Sequence, residues 1–173
     1  MQVQSQPKTI TTFLVDWSPT GIKTIELSNW IGKAIIIPRS KLKEAKIRSE
    51  TQQPAIYFLF GDDEDGNKKA YIGEAENLIN RISNHDWNKD FWETVIAFIS
   101  KDNNLNKADV KFLEANIIQK ALKSKRYSLL NNTEPILNNL AEHQKATMLE
   151  FMDNIDILLS AVGYPILKEV SSK

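Results

Sequence analysis

Apolar and polar positions along the chain follow three rhythms in turn, and each predicts its own kind of element. Near the N-terminus, Thr11–Trp17, Lys23–Ser28 and Lys33–Ile37 are short runs enriched in Val, Ile, Thr and Phe, residues that favour strands. Ser18-Pro19-Thr20-Gly21 supplies a turn between the first two. Pro38 ends the third run, because proline cannot donate to a ladder. Ser40–Arg48 then forms a short charged helix or an irregular link leading to Pro54.

The middle of the chain is denser in apolar residues. Ala55–Phe60 is a nearly all-apolar run, the pattern of a strand buried on both faces. The loop Gly61–Asn67 returns the chain to Lys69–Gly73, which predicts an antiparallel pair. From Glu74 or Ala75 onward the rhythm turns helical, with Leu78, Ile79 and Ile82 sharing one face. Glu93–Ser100 reads as a third strand. Asn106 is a good N-cap, and Asp109 three residues on makes a capping box with aspartate in place of glutamate. The helix that follows, about Lys107–Lys123, buries Val110, Leu113, Ile117 and Ala121.

The last rhythm belongs to one long amphipathic helix, about Asn138–Val162. Met148, Phe151, Ile155, Leu158 and Val162 recur at spacings of three and four, and Gly163-Tyr164-Pro165 terminates the run. The seam covers only about two heptads. It suits packing back on the body, with a weak homodimer through this helix as the alternative. The sum is an α+β fold: a small three-stranded antiparallel sheet flanked by helices, preceded by a short β-meander and followed by a long C-terminal helix. The expected regions are 1–53 (meander and basic linker), 54–137 (body) and 138–173 (helix and tail).

Composition narrows the chemistry. The chain has 173 residues, 42% hydrophobic and 25% charged, enough for a proper core. It has no cysteine and only His85 and His143, which excludes disulfides, thiolate zinc sites and histidine-rich metal sites. A carboxylate site for a hard ion such as Mg²⁺ stays open. No apolar stretch approaches the roughly 18 to 20 residues of a membrane span, and no apolar signal core opens the chain. A cytoplasmic protein with no membrane partner is expected. Net charge is zero, yet residues 1–53 hold eight Lys/Arg against four Asp/Glu. Arg39, Lys41, Lys43, Lys46 and Arg48 crowd one stretch with only Glu44 opposing them. The cluster either touches phosphates or is a solvated face.

Several residues suit phosphodiester hydrolysis, which needs an activated water, charge stabilisation on the phosphate and help for the leaving oxygen. Glu114 lies beside the buried stripe of its helix, where a carboxylate needs a partner or a metal. Mg²⁺ takes one or two protein carboxylates and keeps its waters. The ordinary alternative is a surface glutamate paired with Lys111. Arg81, on the rim of the first helix's apolar face, can make a bidentate contact to phosphate; alone, such an arginine is more often a plain surface residue. Tyr57 and Tyr71 are strand tyrosines, usually core. A tyrosine acts as a base only where a cation lowers its pKa from about 10.

Together, Ala55-Ile56-Tyr57, Tyr71-Ile72-Gly73, Arg81, Glu114 and a following asparagine resemble the GIY-YIG nuclease superfamily in order and approximate spacing. The resemblance spans roughly Pro54–Pro135. The flanking segments Ile37-Pro38-Arg39-Ser40 and Ala55–Gly61 resemble stand-alone bacterial members. It implies that Tyr71 is the general base or positions the attacking water, that Tyr57 orients that water, and that Arg81 holds the scissile phosphate. It further implies that Glu114 binds Mg²⁺ or Mn²⁺ and that Asn131 supports the local backbone or substrate. Asn132 is the alternative; Asn131 is preferred for its place four residues before Pro135. His85, four residues after Arg81, either assists proton transfer or metal binding or is a simple helix-end histidine. Ala55 replaces the family's usual first glycine, which matters only if that backbone needs a positive φ.

The expected function is thus a Mg²⁺-dependent endonuclease acting on nucleic acid, most readily DNA. The alternatives are a nucleic-acid-binding module of weak or no activity, and a protein-interaction module using the C-terminal helix.

Overall fold

The computed structural model describes residues 6–88, 90–132 and 136–170, with the backbone alone described for 85–88. Three strands open the chain: β1 (Ile10–Leu14), β2 (Lys23–Leu27) and β3 (Gly32–Pro38). A 3₁₀ turn at Arg39–Lys41 leads into the single-turn helix α1 (Leu42–Ala45), and a second 3₁₀ turn covers Ser49–Gln52. Then come β4 (Ala55–Asp62), β5 (Lys68–Ala75), α2 (Leu78–Asn88), β6 (Trp92–Ser100), α3 (Lys107–Ser124), the two-residue β7 (Ser128–Leu129) and α4 (Glu142–Ala161). Among the described residues, no helix is long and apolar enough to cross a membrane.

The strands do not form a separate meander and a small three-stranded sheet. They make one seven-stranded mixed sheet in the order β1-β2-β3-β6-β4-β5-β7. The joint is β3 against β6, antiparallel from Gly32↔Ser100 to Pro38↔Thr94. Only β5 and β7 pair in parallel. The reason lies in β6, which is buried without a break from Val95 to Ser100. A strand with apolar residues on both faces and a full ladder of donors on each edge needs a neighbour on each side. β4 occupies one edge of β6 and β3 the other. The sheet therefore runs across the expected boundary at residues 53 and 54.

Helices cover both faces. Ile36, Ile56, Phe58, Ile72, Ile96 and Phe98 point to one side and pack with the apolar stripes of α3 and α4. Their alternating neighbours Ile35, Ile37, Tyr57, Leu59, Val95 and Ala97 point to the other, against Leu42 and Ala45 of α1 and Leu78, Ile79 and Ile82 of α2. This strict alternation is the two-residue period of a strand buried on both sides.

Several boundaries move for local reasons. β1 stops at Leu14, because Trp17 (φ 48°) sits in the turn and donates its N–H to the Leu14 carbonyl. Glu74 and Ala75 stay in β5, where Ala75 pairs with Ala55, and the helix starts only at Leu78. Asn77 caps it, its side chain accepting the Asn80 N–H at 3.1 Å. The Asn106–Asp109 capping box is present in both directions, at 2.8 and 3.1 Å. Gly163 (φ 96°) follows α4, and the Tyr164 N–H closes the end on the Leu159 carbonyl.

α4 buries Met148, Phe151, Ile155, Leu158 and Leu159 in the same core as α3. The Phe151 ring lies 4.8 Å from the Trp30 ring. The apolar seam of α4 is therefore spent within the molecule.

Candidate active site

Tyr57 stands in the middle of the sheet, on β4, directly opposite Gly73 on β5. Its ring crosses the face of that glycine: a Cβ added at residue 73 would overlap the phenol oxygen and its ring carbon. Tyr57 is almost wholly buried, and Tyr71, two residues before Gly73, is half-buried with its ring centroid 6.3 Å away. Ala55 is extended strand paired with Ala75, so the position needs no positive φ.

Three charged groups, Glu74 of β5, Arg81 of α2 and Glu114 of α3, act on both rings. Burial pushes the Tyr57 phenol above its ordinary acidity range, and proximity to Tyr71 pushes it further. Arg81 pulls it down, while Glu114 and Glu74 raise it. Tyr71 is also raised, first by burial, then by Glu114 and Glu74, with Arg81 again opposing. Arg81 is solvent-exposed, near the start of α2.

Glu114 is half-buried on α3. Burial and the Glu74 carboxylate hold its pKa above the usual carboxylate value, and the Glu74 backbone N–H it accepts, with Arg81, partly offsets them. Lys111, the partner in the alternative reading from sequence, is the weakest of these influences. Tyr57, Tyr71, Arg81 and Glu114 thus lie within electrostatic reach of one another, carried by two strands and two helices.

Asn131 joins them through the backbone. Its side-chain oxygen accepts the Ile72 N–H at 3.1 Å and its amide donates to the Ile72 carbonyl at 2.7 Å. A side chain here continues the pairing that β7 begins at Lys69 and Ala70, and fixes the strand between Tyr71 and Gly73. Asn132 is exposed. The side chain of His85 lies outside the described residues.

An open cavity of about 530 Å³ sits between the starts of α2 and α3. Glu74, Arg81 and Lys107 are on its walls, with the amides of Asn77, Asn80 and Asn84. Glu74 and Arg81 belong both to this cavity and to the charges around Glu114; the tyrosines and Glu114 are not on its walls. Sequence reasoning missed Glu74 by assigning it to a helix start. As a strand residue it alternates with Gly73 and faces away from the tyrosine side, towards α3. An acidic residue directly after Tyr71-Ile72-Gly73 was the available signal.

Among the described residues, no three acidic or histidine side chains cluster as a ready metal site. The donors present nevertheless suit a hydrated hard ion. Two carboxylates oppose each other closely enough for Glu74 to raise Glu114, and Mg²⁺ takes one or two carboxylates with water filling its other positions. A divalent cation would relieve that repulsion. Comparison with protein families, curated proteins and solved structures returns no match.

Proposed function

We propose that this protein is a metal-dependent endonuclease that hydrolyses phosphodiester bonds in DNA. The observation that carries the reading is the convergence of Tyr57, Tyr71, Arg81 and Glu114 from β4, β5, α2 and α3 around one set of charges. The resemblance of these residues to the GIY-YIG superfamily supports it.

Arg81, exposed beside the cavity, binds the scissile phosphate through its planar fork of donors. Glu114, with Glu74 beside it, would hold Mg²⁺ or Mn²⁺, and such an ion would supply Lewis-acid stabilisation of the phosphate and a more acidic water. Tyr71 is a neutral phenol in the resting protein, since its acidity is lowered by burial and by two carboxylates. It positions the attacking water by hydrogen bonding, and accepts a proton only when added positive charge reverses that shift. Tyr57 is buried deeper, and that burial is the main cause that raises its phenol, so its part is to orient. Asn131 keeps the Tyr71–Gly73 segment in place through Ile72.

The test is divalent-ion-dependent nicking of supercoiled plasmid, with Glu114→Ala and Arg81→Ala alongside. Each substitution is expected to lower the rate by roughly 10²-fold or more, the usual effect of removing a group that stabilises transition-state charge. Cleavage that survives both substitutions rejects the reading. DNA binding without any cleavage would favour a binding module built on the same residues.

A further inference from the structure

The neutral net charge conceals two groups of exposed cations, one towards each end of α3, beside β5. On α3, Lys107, Lys111, Glu114, Leu122 and the left-handed C-cap residue Lys125 (φ 58°) recur at spacings of four, three, eight and three. These spacings keep them on one side of the helix. All except Glu114 are exposed.

α3 runs antiparallel to β5. At one end Lys107 pairs with Glu76, just past the strand, at 3.6 Å. At the other end, Lys125 and Arg126 share an open groove of about 600 Å³ with Lys68 and Lys69 of β5. Among the described residues, no acidic side chain lines that groove. Asp63 approaches Lys69 from outside it, at 3.7 Å. Arg126 is steadied by the Lys168 and Glu169 carbonyls.

We propose that this edge is a nucleic-acid track. The phosphate backbone of DNA lies along it, held by Lys68, Lys125 and Arg126 at one end and by Lys107 and Lys111 at the other. The Glu74–Glu114 carboxylates sit between them. The choice of partner follows from geometry: a free phosphate reaches only one of the two groups, the groove cations or Lys107 and Lys111, whereas an extended polyanion reaches both. At 1.5 Å per residue they span about 27 Å. That length matches roughly eight phosphates at 3.4 Å per strand step.

The basic stretch near the N-terminus does not compete for this role. Arg39 donates to the Asp90 and Trp92 carbonyls and stacks 4.6 Å over the Trp92 ring. Arg48 is held by both oxygens of Glu50. The track rests on the endonuclease reading for its substrate, but binding is tested without catalysis.

The experiment measures affinity for a short labelled DNA duplex by fluorescence anisotropy, in EDTA, across a range of KCl concentrations. Lys68→Ala/Lys125→Ala should reduce the slope of log K against log[salt] by roughly two and weaken binding on the order of 10- to 100-fold at about 0.1 M salt. Lys68→Arg/Lys125→Arg should retain the wild-type slope. Lys43→Ala/Lys46→Ala, which removes the same net charge from exposed positions elsewhere, should change neither. Unchanged affinity and slope in the first variant, or an equal loss in the last, overturns the track. Lysine-dependent binding without plasmid nicking upholds the track and removes the endonuclease reading. Nicking with lysine-independent binding does the reverse.

Discussion

The Tyr57 ring lies across the backbone of Gly73 and leaves no room there for a side chain. The two residues face each other across the β4–β5 ladder, and Gly73 is ordinary extended strand with no positive φ. The glycine is needed for the space above it. Gly73→Ala should therefore destabilise the fold by about 1–3 kcal/mol, the usual cost of overpacking a tight site. Urea unfolding measures this. In a double-mutant cycle with Tyr57→Leu, which empties part of that space, the combined loss should be clearly less than additive. A wild-type midpoint for Gly73→Ala would show that the ring is free to move aside.

Asn131 acts on the same strand from the opposite edge. Removing its side chain leaves both the Ile72 N–H and carbonyl without their partner. Asn131→Ala should cost about 1–3 kcal/mol, the penalty for unsatisfied backbone groups. Asn132→Ala, at an exposed position, should stay within about 0.5 kcal/mol of wild type. Hydrogen exchange gives an independent reading: the Ile72 amide should exchange faster in Asn131→Ala and unchanged in Asn132→Ala. Equal effects of the two substitutions would sink the assignment.

The elements that sequence made legible are those whose cause is local. Ala55–Phe60 and Val95–Ile99 announce central strands by unbroken apolar runs, and Asn106 with Asp109 announces a helix start by a pair of side chains three residues apart. The β3–β6 pairing has no such signal. Its partners are about sixty residues apart, and β6 looks the same with one neighbour or two until the unpaired edge is considered. Glu74 was obscured in a similar way, because strand and helix rhythms overlap at Ala75. Tyr57, Tyr71, Arg81 and Glu114 were legible as residue types at a spacing. That Tyr57 is deeply buried, and that Glu74 opposes Glu114, are properties of packing across the sheet.

Phe151 separates a core role for α4 from a dimer surface. Its side chain is buried in the core that α4 shares with α3 and the sheet, and its ring packs on Trp30. Phe151→Ala should lower stability by about 3–5 kcal/mol, as for other large aromatic deletions in cores. The unfolding midpoints of wild type and variant should not depend on protein concentration. A midpoint that rises with concentration would instead mean that the helix is stabilised by a second copy.

Glu114 ties stability to pH with a definite sign. Its folded pKa lies above the ordinary 4.5, because burial and the Glu74 charge disfavour the ionised form. A raised carboxyl pKa contributes stability that is fully present below the unfolded value and is lost as pH rises through the folded value. Glu114→Gln keeps an oxygen to accept the Glu74 N–H but never ionises. Wild type and variant should therefore match below the ordinary 4.5. As pH rises towards neutrality the variant should become the more stable of the two, measured as urea midpoints in EDTA. Mg²⁺ should then close the gap from the wild-type side alone, by about 1.4 kcal/mol at ten times its dissociation constant. A variant less stable than wild type at neutral pH would mean that Glu114 is held by a favourable ion pair. Mg²⁺ stabilisation of both proteins equally would place the cation elsewhere.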